Sequence, residues 1–210
     1  MIIAIDGPAA AGKGTLAKRL AKHFNFSYLD TGALYRAVAL TMLRAKHNPS
    51  DIALAAQVSA HLDLDILSDP DLRREETGQA ASQVAAIPEV RANLLNFQRQ
   101  FASRPPEDKA GAVLDGRDIG TVVCPTAAVK IFVTASAEER AKRRFHEQKE
   151  RVGHADYDEI LADVVSRDDR DMNRSDAPLK PAENAHLLDT TKLDIDAVFD
   201  VAVKLVQSAQ

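Results

Sequence analysis

The chain has 210 residues, of which 45% are hydrophobic and 28% are charged, and its formal net charge is −4 at pH 7. This length suits one domain with inserted lobes, and the composition is that of an ordinary soluble globular protein. The negative charge argues against a general nucleic-acid binder or membrane-surface binder. No apolar run approaches the roughly 18 residues that a membrane span requires, so we expect no membrane partner.

Cysteine and histidine usage bounds the chemistry further. The single cysteine, Cys124, excludes an internal disulfide and fits a reducing environment. The apolar start is too short for a signal peptide and has no basic segment before it. We therefore expect a cytoplasmic protein. The six histidines show no metal-ligand spacing, so we predict no protein-ligated metal site.

The first predicted strand, Ile2–Asp6, runs into Gly7, four further residues and then Gly12-Lys13. This order predicts a strand, a phosphate-binding loop and a helix, in which glycines let backbone N–H groups converge and Lys13 supplies a cation. A glycine-rich turn with an incidental lysine is the alternative. The predicted loop residues are Gly7, Pro8, Ala9, Ala10, Ala11, Gly12, Lys13, Gly14 and Thr15.

Gly14 stands where the general loop pattern has a serine or threonine hydroxyl for Mg²⁺. The Gly-Lys-Gly-Thr sequence resembles the loop of nucleoside monophosphate kinases. We therefore expect Mg²⁺ to be held mainly by substrate phosphates and water.

Short apolar runs and helical periodicities alternate along the rest of the chain. Strands are predicted at 2–6, 27–30, 112–115, 129–134 and 186–189, and helices at 33–45, 52–62, 89–101, 138–148 and 195–206. Such alternation predicts a five-stranded parallel sheet with helices on both faces, and ligands collect at the carboxyl ends of its strands. About eighty residues separate the second and third strands, which indicates an insert.

Five blocks extend the pattern over most of the chain: residues 5–15, Leu-Asp-Thr-Gly-Ala-Leu-Tyr-Arg at 29–36, Ala-Ala-Ser-Gln-Val-Ala at 80–85, Asp-Gly-Arg-Asp-Ile-Gly-Thr-Val-Val at 115–123, and Arg-Asp-Asp-Arg-Asp-Met-Asn-Arg at 167–174. With these blocks the chain resembles the bacterial cytidylate kinases. The resemblance implies ATP-dependent phosphorylation of CMP and dCMP, with Mg²⁺, in a monomer.

For the fold, the resemblance implies one P-loop kinase domain over 1–210. An NMP-binding insert is expected at about 47–108 and a mobile lid at about 137–170. In many members the insert includes a β-hairpin region, whereas residues 62–79 here are short, acidic and low in strand character. The insert is therefore predicted to be shortened.

The second strand leads into candidate acceptor residues. Thr31 is predicted to cap the following helix, and Arg36, one turn inside it, can grip a phosphate with two bonds. A capped surface helix with a solvated arginine is the alternative. By resemblance, Arg36 touches the acceptor phosphate, and Ser82 and Arg91 face the cytosine. From spacing alone, Ser82 and Arg91 are equally well explained as exposed polar helix residues.

The segment Asp115-Gly116-Arg117-Asp118 leaves a strand at the expected crevice. An ionised Asp118 only accepts hydrogen bonds, so it suits the 4-amino group of cytosine and opposes the carbonyl of uracil. Arg117 is placed to reach phosphate, and Asp115 to orient metal-bound water. A tight turn with a salt bridge is the alternative.

Arg167, Asp171 and Arg174 recur at spacings that predict one shared helix face, either as an ion-paired solvent face or as ligands. By resemblance, Arg167 and Asp171 hold the sugar hydroxyls, while Arg174 joins Arg36 and Arg117 around the phosphates. The resemblance also places arginines on the lid near ATP: Arg140, Arg143 and Arg144. Lys13, Arg117 and Arg174 are the predicted catalytic residues.

Three other readings compete. Another P-loop kinase could act on UMP, AMP, shikimate or dephospho-coenzyme A, and Ser82, Arg91 and Asp118 argue against it. A regulatory P-loop GTPase or motor is disfavoured because no Asn-Lys-x-Asp motif follows the fourth strand. A binding scaffold without catalysis is disfavoured by Lys13 and the candidate arginines.

Overall fold

The computed structural model describes residues 1–209, and its centre is an all-parallel sheet of five strands in the order β2-β3-β1-β4-β5. The strands are β1 (Ile2–Asp6), β2 (Ser27–Asp30), β3 (Ala112–Gly116), β4 (Val129–Thr134) and β5 (His186–Asp189). All five predicted strands are confirmed, and β3 continues one residue further, to Gly116. Their apolar, β-branched character is that of strands buried on both faces.

The strand register brings the carboxyl ends of β1, β3 and β4 side by side. β1 lies between β3 and β4, with Asp6 opposite Gly116 on one side and Phe132 on the other. The chain therefore leaves β1 at the point where the strand order reverses, which is where parallel sheets bind ligands. The loop after β1 and the segment after β3 consequently share one crevice.

Within residues 1–209 the sheet is accompanied by eight α-helices: α1 (Lys13–Phe24), α2 (Thr31–Arg44), α3 (Ile52–Ala60), α4 (Glu75–Val84), α5 (Pro88–Ser103), α6 (Ala137–Val152), α7 (Tyr157–Asn173) and α8 (Ile195–Gln207). On one face of the sheet, Ile3 and Ile5 pack with Leu16 of α1 and Val198 of α8. On the other face, Leu114 of β3 packs with Ala102 of α5. This arrangement leaves the carboxyl ends of the strands open.

The predicted helices are confirmed with altered ends. Asp194 caps α8 as a side-chain acceptor for two backbone N–H groups, and Pro88 begins α5. The helices predicted at 33–45 and 138–148 begin earlier, at Thr31 and Ala137, and the helix predicted at 52–62 already ends at Ala60. The sequence patterns predicted no boundaries for α4 and α7.

Residues 47–108 contain helices, 3₁₀ turns and no strand. They have a core of their own against α2, in which Leu34, Val38, Val84 and Val90 are fully buried. Two 3₁₀ turns, Leu64–Ser68 and Pro70–Arg73, occupy the acidic stretch that has low strand character. The extents and the motion of the insert and the lid stay predictions.

Helices α6 and α7 pack through a separate small cluster in which Ala141, Ile160 and Val164 are buried. Within residues 1–209, no helix has both the length and the apolar character that crossing a bilayer demands.

Candidate active site

The loop after β1 has a backbone that depends on glycine. Gly7 has a φ of 145°, and a Cβ at this position would lie 1.9 Å from the carbonyl oxygen of Val133. No other residue fits there without moving β4. The loop ends at Gly12, which precedes the first turn of α1 with a φ of 90°. The positive end of the α1 dipole therefore faces the loop, as an anion site requires.

Lys13 lies beneath this loop and is only 7% exposed. Its Nζ donates to the carbonyl oxygen of Pro8 at 2.7 Å. Burial, and then the Arg117 cation, lower the pKa of Lys13 to about 7. The site therefore holds a desolvated amine that an anionic ligand would convert fully to its cation.

Asp115, at the end of β3, is buried and faces the same loop. Tyr28 Oη donates to the Asp115 carboxylate at 3.0 Å. Burial, and then the negative charge of Asp30, raise the pKa of Asp115 to about 6. A Cβ on Gly14 would lie 3.3 Å from Asp115 Oδ2. The Asp115 carboxylate thus stands beside the position where other P-loops carry a hydroxyl side chain.

The prediction that Thr31 caps α2 is wrong. Asp30 is the N-cap, and its Oδ1 accepts from the backbone N–H of Ala33 at 3.1 Å. Thr31 begins the helix and its Oγ1 instead donates to the backbone oxygen of Asp115 at 2.7 Å. Thr31 therefore ties α2 to β3 at the mouth of the crevice.

The donor set bears on Mg²⁺. Among the described residues, no three His, Cys, Asp or Glu side chains come together as a metal-ligating group. The Asp30 and Asp115 carboxylates lie close enough for their charges to repel each other, and both charges also act on Lys13. Two carboxylates suit a cation that takes its remaining ligands from phosphate oxygens and water.

Several arginines gather beside the loop. Arg36 Nη1 donates to the Leu72 carbonyl oxygen at 2.8 Å, and Arg117 Nε donates to Asp171 Oδ2 at 3.0 Å. The Nε of Arg167 is buried and has no hydrogen-bond partner within residues 1–209. Burial, and next the charge of Arg117, lower the pKa of Arg167 to about 9. Cations held this close together are stabilised by an anion.

A cavity of about 150 Å³ opens between these arginines and the loop. Ala9 and Ala10 form one wall, and two acidic residues, Glu75 and Glu147, also line it. Its arginines come from α2, the segment before α4, α6 and α7: Arg36, Arg73, Arg74, Arg144, Arg151 and Arg167. Positive groups outnumber carboxylates here, which is the composition of a polyphosphate site.

A second, narrower cavity of about 50 Å³ adjoins Asp118 and contains Ser82 and Arg91. The interpretation of Ser82 and Arg91 as exposed helix residues is wrong, because their exposed fractions are 3% and 7%. Arg91 pairs through Nη2 with Asp118 and through Nε with Asp176 at 2.9 Å. The Ser82 hydroxyl has no partner among residues 1–209. An unpaired buried hydroxyl beside a buried carboxylate offers hydrogen bonds to a polar ligand.

Arg174 is the C-cap of α7 and not a residue inside the helix, and it lines the same cavity as Arg167 and Asp171. The helix ends at Asn173, and Arg174 follows in extended conformation. Its Nε and Nη2 donate to the Ala177 carbonyl oxygen at 2.8 and 2.5 Å, and Nη2 lies 3.9 Å from Asp118 Oδ1. The structure thus brings Arg174 to the Asp118 cavity, while Arg167 and Asp171 stay on α7 as predicted.

The three arginines of α6 that were predicted to lie on a lid contact protein groups. Arg140 pairs with Asp168, Arg143 donates to Thr190, and Arg144 pairs with Glu75 at the start of α4. The Arg144 contact joins α6 to α4, and both residues line the larger cavity. Contact of these arginines with ATP stays a prediction.

Sequence reasoning overlooked several residues of this crevice. Tyr35 lines the narrower cavity, and the Arg91 guanidinium lies 5.8 Å from the centre of its ring. Asp168 holds Arg140, and Thr190 accepts from Arg143. Tyr35 and Asp168 belong to recognised blocks, whereas no motif marks Thr190.

The parallel sheet, the glycine-dependent loop with a buried lysine, and the adjoining arginines define a P-loop phosphotransferase. A crystal structure of an uncharacterized protein from Eubacterium ventriosum shares this fold, with a TM-score of 0.57, 18% identity, and coverage of 99% of this chain and 98% of that one. The family model for cytidylate kinase matches residues 3–208. The chain belongs to the cytidylate kinase family.

Relatives of the same family match over the whole chain. The cytidylate kinase of Paramagnetospirillum magneticum is 58% identical over 99% of this chain and 98% of its own length. The cytidylate kinase of Rhodopseudomonas palustris is 57% identical over 100% of this chain and 97% of its own. The resemblance inferred from five blocks is therefore confirmed over the full length.

Proposed function

We propose that this crevice transfers the γ-phosphoryl group of ATP to the phosphate of CMP or dCMP. The observation that carries the proposal is the buried Arg167, whose Nε has no hydrogen-bond partner within residues 1–209 and whose pKa is lowered to about 9 by burial and then by the charge of Arg117. Such a group is stabilised when a polyanion enters. The phosphate loop on one side and the arginines on the other leave room for a donor and an acceptor phosphate between them.

On the donor side, the loop backbone and the α1 N-terminus bind the phosphates of ATP, and Lys13 neutralises charge at the group being transferred. Asp115 and Asp30 are the residues that would hold Mg²⁺, through water. When bound with ATP, the ion neutralises phosphate charge. Asp115 takes the place of the hydroxyl that Gly14 lacks, because its Oδ2 lies 3.3 Å from where a Cβ would begin.

On the acceptor side, Arg36, Arg117 and Arg167 surround the CMP phosphate. A guanidinium offers two parallel N–H donors, which fixes the phosphate in line with the transferring group. The acceptor is already an anionic oxygen, so no general base is needed. Phosphoryl transfer through a loose transition state depends on positioning and charge neutralisation of this kind.

Asp118 and Ser82 read the base. Their oxygens accept from the 4-amino group of cytosine, and Arg91 donates to a cytosine acceptor, O2 or N3. Uracil places a carbonyl against the carboxylate, and no hydrogen bond forms between these two acceptors, which disfavours UMP. Asp171 and Arg167 are placed near enough to each other, at 3.9 Å, to hold the sugar hydroxyls together. Arg174 supports Asp118 from the other side.

Closure excludes water. The ion pair between Arg144 and Glu75 joins α6 to the insert over the larger cavity. A covered site suppresses transfer of the phosphoryl group to water. The cytoplasmic location and the monomeric state expected from the sequence stay predictions.

An acceptor screen tests the proposal. ADP release from ATP is followed with CMP, dCMP, UMP, AMP and GMP, and with shikimate and dephospho-coenzyme A. We expect CMP and dCMP to give high kcat/KM and the others to give little. Equal rates with AMP or UMP would favour the rival P-loop kinase, and acceptor-independent ADP release that responds to a protein partner would favour a regulatory NTPase.

A further inference from the structure

Asp168 belongs to the block 167–174, yet the proposed mechanism gives it no contact with substrate. It lies on α7 between two acceptor-side residues and points elsewhere, since consecutive helical residues are about 100° apart around the axis. Its two carboxylate oxygens accept from Arg140 Nη1 at 3.0 Å and Nη2 at 2.5 Å. This is a two-pronged ion pair with side-chain exposures of 14% for Asp168 and 4% for Arg140.

Arg140 of this pair also bonds the phosphate loop. Arg140 Nη1 also donates to the Ala9 carbonyl oxygen at 3.3 Å, and Nε donates to the Ala135 carbonyl oxygen at 2.9 Å, just beyond β4. These four hydrogen bonds come from one guanidinium, which has five N–H donors. Arg140 therefore connects α7, the end of β4 and the loop, and its donors are largely committed to protein groups.

The peptide that Arg140 holds is a strained one. Ala10 has a φ of 59°, a left-handed conformation that non-glycine residues seldom adopt. A peptide unit is planar, so fixing the Ala9 carbonyl on the Arg140 side turns the N–H of Ala10 to the opposite side. Ala10 lines the larger cavity, where the phosphates are placed by the proposed function.

We propose that Asp168 and Arg140 are positioning residues that hold the Ala9–Ala10 peptide with its N–H toward the donor phosphates. The inference rests on the proposed function, because it gives this pair a task in ATP binding. It also revises the direct ATP contact that resemblance implies for Arg140. Asp168 keeps the guanidinium in the plane that reaches Ala9, and Arg140 keeps the loop in its strained form before ATP arrives.

The test compares Asp168→Asn with Asp169→Asn. Asp169 is the exposed neighbour on α7, and among the described residues its carboxylate accepts one hydrogen bond, from Asn173 Nδ2 at 2.7 Å, so it controls for the loss of one helix carboxylate. Calorimetry measures ATP and CMP binding separately, and ADP release measures both KM values. Loss of a charged hydrogen bond predicts that Asp168→Asn weakens ATP by about tenfold or more. CMP affinity should change less than twofold, and Asp169→Asn should match wild type.

Arg140→Lys covers the case in which Asp168→Asn does not fold. Lysine keeps a cation beside Asp168 but cannot bond both carboxylate oxygens and two carbonyls at once. It should lose ATP affinity with CMP affinity intact, and adding Asp168→Asn should then cost little more, because the two residues act as one unit.

Three outcomes would overturn the inference: unchanged ATP affinity in Arg140→Lys, equal losses for ATP and CMP, or additive effects of the two substitutions. Failure of the proposed function is distinguishable, since the wild-type protein would then show no CMP-dependent ADP release at all.

Discussion

Replacing Asp118 by asparagine should change which base the enzyme accepts. In the structure the Asp118 carboxylate accepts from Arg91, and Arg174 lies 3.9 Å from its other oxygen. The asparagine oxygen would keep the Arg91 contact, because Arg91 is hydrogen-bonded whereas Arg174 lies beyond hydrogen-bond distance, and an amide N–H₂ facing the closer guanidinium is repelled more strongly. The N–H₂ then points into the cavity as a donor. This donor opposes the 4-amino group of cytosine and matches the carbonyl of uracil.

The magnitude follows from one hydrogen bond. A charged hydrogen bond contributes about 1.5–3 kcal/mol, which is roughly a 10- to 150-fold change in kcat/KM. The ratio of CMP to UMP efficiency should therefore fall by about tenfold or more. The loss of folding stability should be smaller than if Arg91 had no remaining acidic partner, because Arg91 keeps its ion pair with Asp176 at 2.9 Å.

The assay measures kcat/KM for CMP and UMP at saturating ATP in wild type, Asp118→Asn and Asp176→Asn. Asp176 binds the same arginine from a half-exposed position outside the cavity, so its substitution controls for disturbance of Arg91. We expect Asp176→Asn to leave the ratio near the wild-type value. If Asp118→Asn lowers both efficiencies equally, Asp118 acts on structure or phosphate and does not read the base.

Three further results are expected. Lys13→Ala should lose kcat by several orders of magnitude while keeping its fold. Because burial lowers the pKa of Lys13 to about 7, ATP binding near pH 7.5 should take up a proton in wild type and not in the variant. Calorimetry in buffers of different ionisation enthalpy measures this proton uptake. Lysine should substitute poorly, as judged by kcat, at Arg36 and Arg117 beside the phosphate and at Arg174, which supports Asp118. Burial raises the pKa of Asp115 to about 6, so activity should fall as the pH falls through about 6. The Tyr28 hydrogen bond lowers this pKa, so Tyr28→Phe should move the acidic limb of the pH–activity profile to higher pH. An acidic limb that does not move would remove Asp115 from the mechanism.

Much of the fold could be predicted because strands buried on both faces are short apolar runs. Ile2–Asp6 and Val129–Thr134 match their predicted bounds for this reason. The amphipathic helices α5 and α8 were also found by periodicity. Helix α4 was missed because its apolar residues are mostly alanines, and these pack against α2 with little hydrophobic contrast.

The site was predictable where a loop or strand end carries the residue, as for Lys13 and Asp115. The site was less predictable where tertiary contacts determine the position of a side chain. Asp30 took the cap because Thr31 bonds across the crevice to β3, and no local pattern reports that contact. Likewise, the spacing of Arg174 suits a helix face, but the chain leaves α7 one residue earlier to bond Ala177.

A crystal structure with CMP and a non-hydrolysable ATP analogue tests the central claim most directly. We predict the cytosine 4-amino group within hydrogen-bond distance of Asp118 and Ser82, with the CMP phosphate among Arg36, Arg117 and Arg167. The analogue should lie along the loop beside Lys13, in line with that phosphate. A base bound away from Asp118, or an acceptor phosphate outside the arginines, would contradict the account.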